Sequence, residues 1–128
     1  MIKNYVNLPY DLLPLKELCI RPLRSGVFKP TYQRGKGMKM INMNEIFEYN
    51  IIHSGFPMEL VNLTKKEKEN SLLENYSLLF ARSSLIFEGA GKCSILVNKN
   101  EDEFTYESHI ISAIINYFIL CDKRRKIK

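Results

Sequence analysis

The stretch from Ile110 to Cys121 constrains the fold more than any other part of the sequence, because it is apolar on nearly every side. At helical spacing its residues fall into two stripes, which predicts a helix that begins after the capping residue Thr105. A helix with two apolar stripes is buried on more than one side, and in a chain of 128 residues we expect one of these sides to face a partner. The run is too short to cross a bilayer. The first stripe contains His109, Ile110, Ala113, Ile114, Tyr117, Phe118 and Cys121, and the second contains Ile111, Ile115 and Ile119.

Two further helices and one strand are predicted before this run. Apolar residues at helical spacing predict a helix over Met43 to His53, with Asn42 as its cap. Thr64 and Glu67 form a capping-box pattern that begins another helix, which we expect to end before residue 89. Cys93 to Val97 is predicted to be a short strand. We therefore expect an α+β fold that is mainly α-helical with a few short strands, extended in shape and dependent on a partner.

The charge is distributed unevenly along the chain. The formal net charge is +5 at pH 7, and basic residues between positions 16 and 39 are interleaved with the aromatic residues Phe28 and Tyr32. Such a strip can bind phosphates while its aromatic rings stack on bases. It is equally compatible with a solvated loop, or with a loop that docks on an acidic protein surface. The candidates for nucleic-acid contact are Arg21, Arg24, Lys29, Arg34, Lys36 and Lys39.

No residue pattern predicts catalysis, a metal site or a cofactor. The two histidines, His53 and His109, have no Cys, His or carboxylate at zinc-ligand spacing, and the acidic residues lie in charged runs typical of solvated faces. The three cysteines, Cys19, Cys93 and Cys121, are scattered and odd in number, which indicates a reducing compartment. The start of the chain shows no signal-peptide pattern. We expect a cytoplasmic protein.

The order of several segments resembles the last part of the largest subunit of multisubunit RNA polymerases, such as the bacterial β′ subunit. In that family a leucine-containing segment precedes a glycine turn, a helix of the Phe-Glu-x-Thr type and a Glu-Asn segment. The segments of this chain that are similar to them are Leu15–Leu18, Arg24–Lys29, Gln33–Gly35, Met43–Glu48 and Lys68–Leu73. The resemblance covers about residues 12 to 75.

The end of the chain is similar to a second polymerase component. Phe104–Glu107, followed by an apolar helix pattern, looks like the Thr-x-Tyr-Glu helix start of the omega-type small subunit. Omega-type subunits bind the tail of the largest subunit, so the two resemblances fit together. They imply a region over 1–88 that is like the C-terminal part of the largest subunit, and an omega-like helical tail over 89–128. A short subunit of this kind resembles the small subunit of the non-canonical polymerases of yeast cytoplasmic linear plasmids.

The resemblance implies a non-catalytic subunit of a DNA-directed RNA polymerase, which is a nucleotidyltransferase. Its partner would be the large subunit, with DNA and RNA reached through the complex and with no membrane or small-molecule substrate. Two alternatives stay open: a stand-alone basic nucleic-acid-binding module of a ribonucleoprotein, and a viral or phage protein that binds a host protein. The residues expected at the partner interface are Ile46, Phe47, Leu72, Leu73, Tyr76, Ile110, Ile114 and Phe118.

Overall fold

The structure, a computed structural model, describes residues 12–83 and 89–118. Within these ranges the fold is mainly β, with 35% of residues in strands and 23% helical. Two short 3-10 helices cover Leu15–Leu18 and Thr31–Gln33. The strands are β1 (Arg24–Ser25), β2 (Arg34–Ile41), β3 (Ile51–His53), β4 (Glu59–Val61), β5 (Leu78–Ala81), β6 (Cys93–Val97), β7 (Phe104–Tyr106) and β8 (Ile110–Ala113), and the helices are α1 (Met43–Glu48) and α2 (Lys65–Ser71).

The strands form two sheets. The larger sheet has five strands in the order β1-β8-β5-β6-β3, and the smaller has three in the order β4-β2-β7. The pairs β3–β6 and β2–β7 are parallel, and the other pairs are antiparallel. Each sheet contains strands from before and from after residue 89. The division of the chain into a largest-subunit-like region over 1–88 and an omega-like region over 89–128 stays a prediction.

The prediction of a mainly helical fold is wrong. The segment expected to form one helix after Thr105 instead forms β7 and β8, with an intervening turn. A short apolar run does not distinguish a buried strand from a buried helix. Four isoleucines lie among residues 110–115, and such β-branched side chains are restricted in a helix but pack well on a pleated sheet. The part of the predicted helix beyond residue 118 lies outside the described residues.

Both upstream helices are shorter than predicted. Helix α1 begins at Met43 as expected but ends at Glu48, because the β-branched pair at 51–52 continues as strand β3. Helix α2 ends at Ser71, and Tyr76 then adopts a φ of 65°, a left-handed conformation that no helix can continue through. The capping box of Thr64 and the strand Cys93–Val97 are confirmed.

The core lies between the five-stranded sheet on one side and α1 with β7 on the other. Its fully buried members include Ile46 of α1, Leu79 of β5, Leu96 of β6 and Phe104 of β7. Ser94, which faces this core, donates its hydroxyl to the carbonyl oxygen of Ile46 (3.2 Å), so the polar atom is satisfied where it is buried. These contacts join the two sheets.

The segment before β2 is held along the edge of the larger sheet. The amide of Ile20 donates to the carbonyl of Ile114 (2.9 Å), and the amide of Gly26 donates to that of Ile110 (3.1 Å). A Cβ atom on Gly26 would lie 2.1 Å from the carbonyl oxygen of Tyr106. The close approach of these two backbones therefore requires glycine at position 26. No helix of the described residues is long and apolar enough to cross a membrane.

Candidate interaction surfaces

Most of the basic residues expected to contact nucleic acid already form ion pairs or hydrogen bonds with other residues of the chain. Arg21 forms an ion pair with Glu74, at 3.0 Å between Nη2 and Oε1. Arg24 donates from Nη1 to the side-chain oxygen of Asn70 (3.3 Å). Both contacts connect the N-terminal segment to the region of α2 and the loop after it.

The next basic residues are paired in the same way. Lys29 lies 2.9 Å from a carboxylate oxygen of Glu67 in α2, and its side chain is only 12% exposed. Arg34 donates to Glu59 Oε2 (2.7 Å) and to the carbonyl oxygen of Lys29 (2.9 Å). These guanidinium and ammonium groups are therefore held in fixed positions by opposite charges.

Lys39 completes this set of paired cations. Its Nζ donates to Asp102 Oδ2 (2.9 Å) and to the carbonyl oxygen of Ser54 (2.8 Å), and it lies 5.7 Å from the ring centre of Phe104. Lys36 differs from the other five, because it is exposed and makes no hydrogen bond or ion pair with the residues that the structure describes. Of the six candidates for nucleic-acid contact, Lys36 alone has no side-chain partner among the described residues, since Arg24 bonds to a neutral amide and the other four bond to carboxylates.

The pair between Lys29 and Glu67 makes the stability of the chain depend on pH. The Lys29 ammonium, together with the amide of Thr64, holds the pKa of the Glu67 carboxyl below its ordinary value of 4.5. A carboxyl with a lowered pKa stabilises the folded state at neutral pH, and this contribution is lost as pH falls below about 4.5 and through the folded-state pKa.

We therefore expect Glu67→Gln to lower the urea midpoint of unfolding at pH 7 and to change it less at pH 3, because protonation as pH falls makes the Glu67 carboxyl neutral, as glutamine is. Chemical denaturation at the two pH values measures this difference. Glu69→Gln in the same helix is the control, because Glu69 is exposed and outside the described ion pairs. An equal effect of Glu67→Gln at both pH values would show that the ion pair contributes nothing to stability.

The residues expected at the partner interface differ widely in their burial. Four are buried in the chain's own interior, Leu72 is half-buried, and three are exposed. Phe118 is the most exposed, at 88%, while the ring of Tyr76 meets Tyr117 edge-on at 6.2 Å. The buried residues are Ile46, Leu73, Ile110 and Ile114, and the exposed ones are Phe47, Tyr76 and Phe118.

A second apolar surface lies on the side of the five-stranded sheet that points away from the core. The sequence analysis did not predict this surface, because it assigned most of these strands to helices. Burial alternates along β3, β5 and β6, so every second residue points into the core. Apart from His53 at the end of β3, the residues between them are nevertheless apolar. One row across the sheet joins Ile51, Ile95 and Leu78, and a second joins Cys93, Phe80 and Ile111. We call these six residues the outer face.

The outer face is incompletely covered. Ile51 at the β3 edge is 55% exposed, and the other five residues are half-buried. An antiparallel sheet with one solvated face normally alternates apolar and polar residues, whereas a sheet buried on both faces is apolar throughout. Apart from His53, the outward-facing residues of β3, β5 and β6 are of the second type.

In the part of the chain that the structure describes, burial changes the pKa values of several ionisable groups. Burial raises the pKa of the Glu45 carboxyl and the pKa values of the Cys19 and Cys93 thiols, which lowers the reactivity of both thiols. Cys121 lies outside the described residues. Among residues 12–83 and 89–118, no group of three His, Cys, Asp or Glu residues could hold a metal ion. No protein-family model matches the chain, and no curated protein sequence aligns with it significantly.

Proposed function

We propose that this chain is a non-catalytic, cytoplasmic subunit of a DNA-directed RNA polymerase that binds the large subunit through the outer face of its five-stranded sheet. The observation that carries the proposal is the apolar character of that face across β3, β6, β5 and β8. Reaction chemistry would belong to the large subunit, and this chain would stabilise the assembly.

The outer face has the apolar chemistry of a contact between permanent partners. Adjacent strands lie about 4.8 Å apart, so a row across three strands spans about 10 Å. Ile51, Ile95 and Leu78 occupy such a row, with Phe80 in the row beside it. Obligate interfaces are large and hydrophobic, like a domain interior cut in two. A face of this kind favours a partner that stays bound over one that exchanges.

The choice of a polymerase as the partner is based on the serial resemblance over residues 12 to 75. Three of the similar segments have defined places in the fold: Met43–Glu48 is helix α1, Lys68–Leu73 includes the end of α2, and Arg24–Lys29 includes β1 and the close turn at Gly26. The similar segments are therefore parts of one packed unit, which supports a shared structural role for them.

The alternative of a stand-alone nucleic-acid-binding module has less support. Five of the six candidate phosphate contacts already bond to carboxylates or an amide within the chain. For the four that pair with carboxylates, contacting a phosphate would exchange one anionic partner for another, which reduces the gain in electrostatic energy. Binding to a host protein, as in the viral or phage alternative, would use the same outer face, so the experiment must identify the partner.

The test is affinity purification of the tagged full chain from its native host at moderate salt, followed by mass spectrometry and a transcription assay. We expect stoichiometric recovery of a very large polypeptide, together with RNA synthesis that requires added template DNA. Recovery of the chain alone, or with a partner that has no such activity, would contradict the polymerase assignment. Recovery only with RNA that high salt removes would favour the ribonucleoprotein alternative.

A further inference from the structure

The loop that carries Lys36 is built by an interruption of strand β2. Arg34 and Met38 both lie opposite Val61 of β4, so residues 35–37 are looped out of the strand pairing. Gly35 and Gly37 have φ values of 116° and 108°, which favour glycine strongly. A Cβ atom on Gly37 would lie 2.3 Å from the carbonyl oxygen of Val61. Bulges of this kind often redirect a side chain next to a functional site, and here the side chain that is redirected is Lys36.

An open cleft lies beside this bulge. It has a volume of about 650 Å³, and no acidic residue is among the residues that line it. Tyr32, at one side of the cleft, is 83% exposed, and Phe28 nearby in the sequence is 74% exposed. The lining residues are Lys29, Tyr32, Gln33, Arg34, Gly35, Lys36, Asn62, Leu63 and Thr64.

The two other cations of the cleft are fixed, and Lys36 is not. Lys29 is paired with Glu67 and Arg34 with Glu59, so their charges are largely balanced. Lys36 projects from the bulge with no hydrogen-bonding partner among residues 12–83 and 89–118. The cleft therefore joins an exposed aromatic ring, polar amides of Gln33 and Asn62 and one ammonium group that can accept a new anionic partner.

We propose that this cleft binds single-stranded nucleic acid, with a base stacked on Tyr32 and the adjacent phosphate contacted by Lys36. Stacking on an exposed ring accepts any base, because every base has a π face, and a lysine contacts the backbone without regard to sequence. An acidic protein segment would pair with the Lys36 ammonium but would not provide a flat ring to stack on Tyr32. The inference does not depend on the identity of the large partner, since the cleft and the outer face are formed by different residues.

The experiment measures binding of the isolated full chain to a fluorescein-labelled 12-nucleotide oligo(U) by fluorescence anisotropy over a range of KCl concentrations. Tyr32→Ala should weaken binding by about 5-fold to 100-fold, the range that the loss of one stacked base produces. Tyr32→Phe keeps the ring and should bind as the unchanged chain does.

The contact of Lys36 with a phosphate can be measured separately, through the salt dependence of the binding constant. Each phosphate contact on a single strand contributes about −0.7 to the slope of log K against log salt concentration. Lys36→Gln should therefore reduce the magnitude of that slope by about 0.7, and Lys36→Arg should preserve it. Lys99→Gln is the matched control, because Lys99 is exposed and lines a different cavity with Ile51 and His53.

All three substituted positions are exposed, so unchanged melting temperatures will show that each variant is folded. The proposal is overturned if the unchanged chain shows no binding at about 50 mM KCl, a low ionic strength at which electrostatic contacts are only weakly screened. It is also overturned if Tyr32→Ala and Lys36→Gln bind as Lys99→Gln does. Release of a protein partner by these two variants, with oligonucleotide binding unaffected, would assign the cleft to a protein segment instead.

Discussion

Replacing Phe104 with alanine should lower the free energy of unfolding by about 3–5 kcal/mol, the cost of removing a large aromatic side chain from a packed core. Phe104 is fully buried, and its strand β7 belongs to the smaller sheet while its side chain belongs to the core beneath the larger one. Its carbonyl oxygen also accepts the amide of Leu73 (2.9 Å), which anchors the chain after α2. Since small domains have total stabilities of about 5–15 kcal/mol, this variant should be close to unfolded.

The measurement is urea or thermal denaturation of the full chain, and Phe28→Ala is the matched control. Phe28 is 74% exposed, so the same chemical change there should alter stability by no more than about 0.5 kcal/mol. Equal and small effects at the two positions would contradict the placement of β7 in the interior. They would favour the helical arrangement, in which Phe104 precedes the first turn of a helix.

Local signals in the sequence were sufficient to predict local structure. The capping box at Thr64 depends on an exchange of hydrogen bonds between residues three apart, and the structure contains both bonds, at 2.8 and 3.2 Å. The strand at Cys93–Val97 follows from a short run of β-forming residues after a glycine break. In both cases the physical cause lies within a few residues of the feature.

The secondary structure of the last apolar run could not be predicted in the same way. Ile110, Ala113, Ile114 and Ile115 are all buried, and Ile110 and Ala113 point to opposite sides of β8. A helix and a strand that are buried on two sides have the same apolar composition, so periodicity does not separate them. What separates them here is the pairing of β8 with β5 and with residues 24–25, which are far away in the sequence.

The basic strip shows the same dependence on distant contacts. Lys29 and Lys39 become paired because folding places Glu67 and Asp102 beside them, 38 and 63 residues further along the chain. Charge distribution along a sequence contains no record of such pairs. Lys36, whose side chain has no partner among the described residues, was predictable only through its flanking glycines, since two glycines around one lysine mark a loop that leaves its strand.

The second large effect is expected from substitutions in the outer face, which should weaken the complex without unfolding the chain. We expect the double substitution Ile51→Thr with Ile95→Thr to weaken binding to the large partner by about 3 kcal/mol, or about 100-fold in Kd, because two apolar side chains leave the interface. Threonine is β-branched, so the parallel pairing of these two positions should survive. The isolated variant should also self-associate less than the unchanged chain, since an exposed apolar patch favours association.

Co-purification at increasing salt and light scattering of the isolated chain measure the two effects. Ile20→Thr is the matched control: Ile20 is 58% exposed, close to the 55% of Ile51, but lies along β8 at the opposite edge of the sheet. Substitution of a core residue would destabilise the fold and increase aggregation. Substitution of a partner-binding residue reduces self-association of the isolated chain and weakens the complex. A double variant that unfolds, or one that keeps its partner as firmly as Ile20→Thr does, would therefore remove the outer face from the proposed interface.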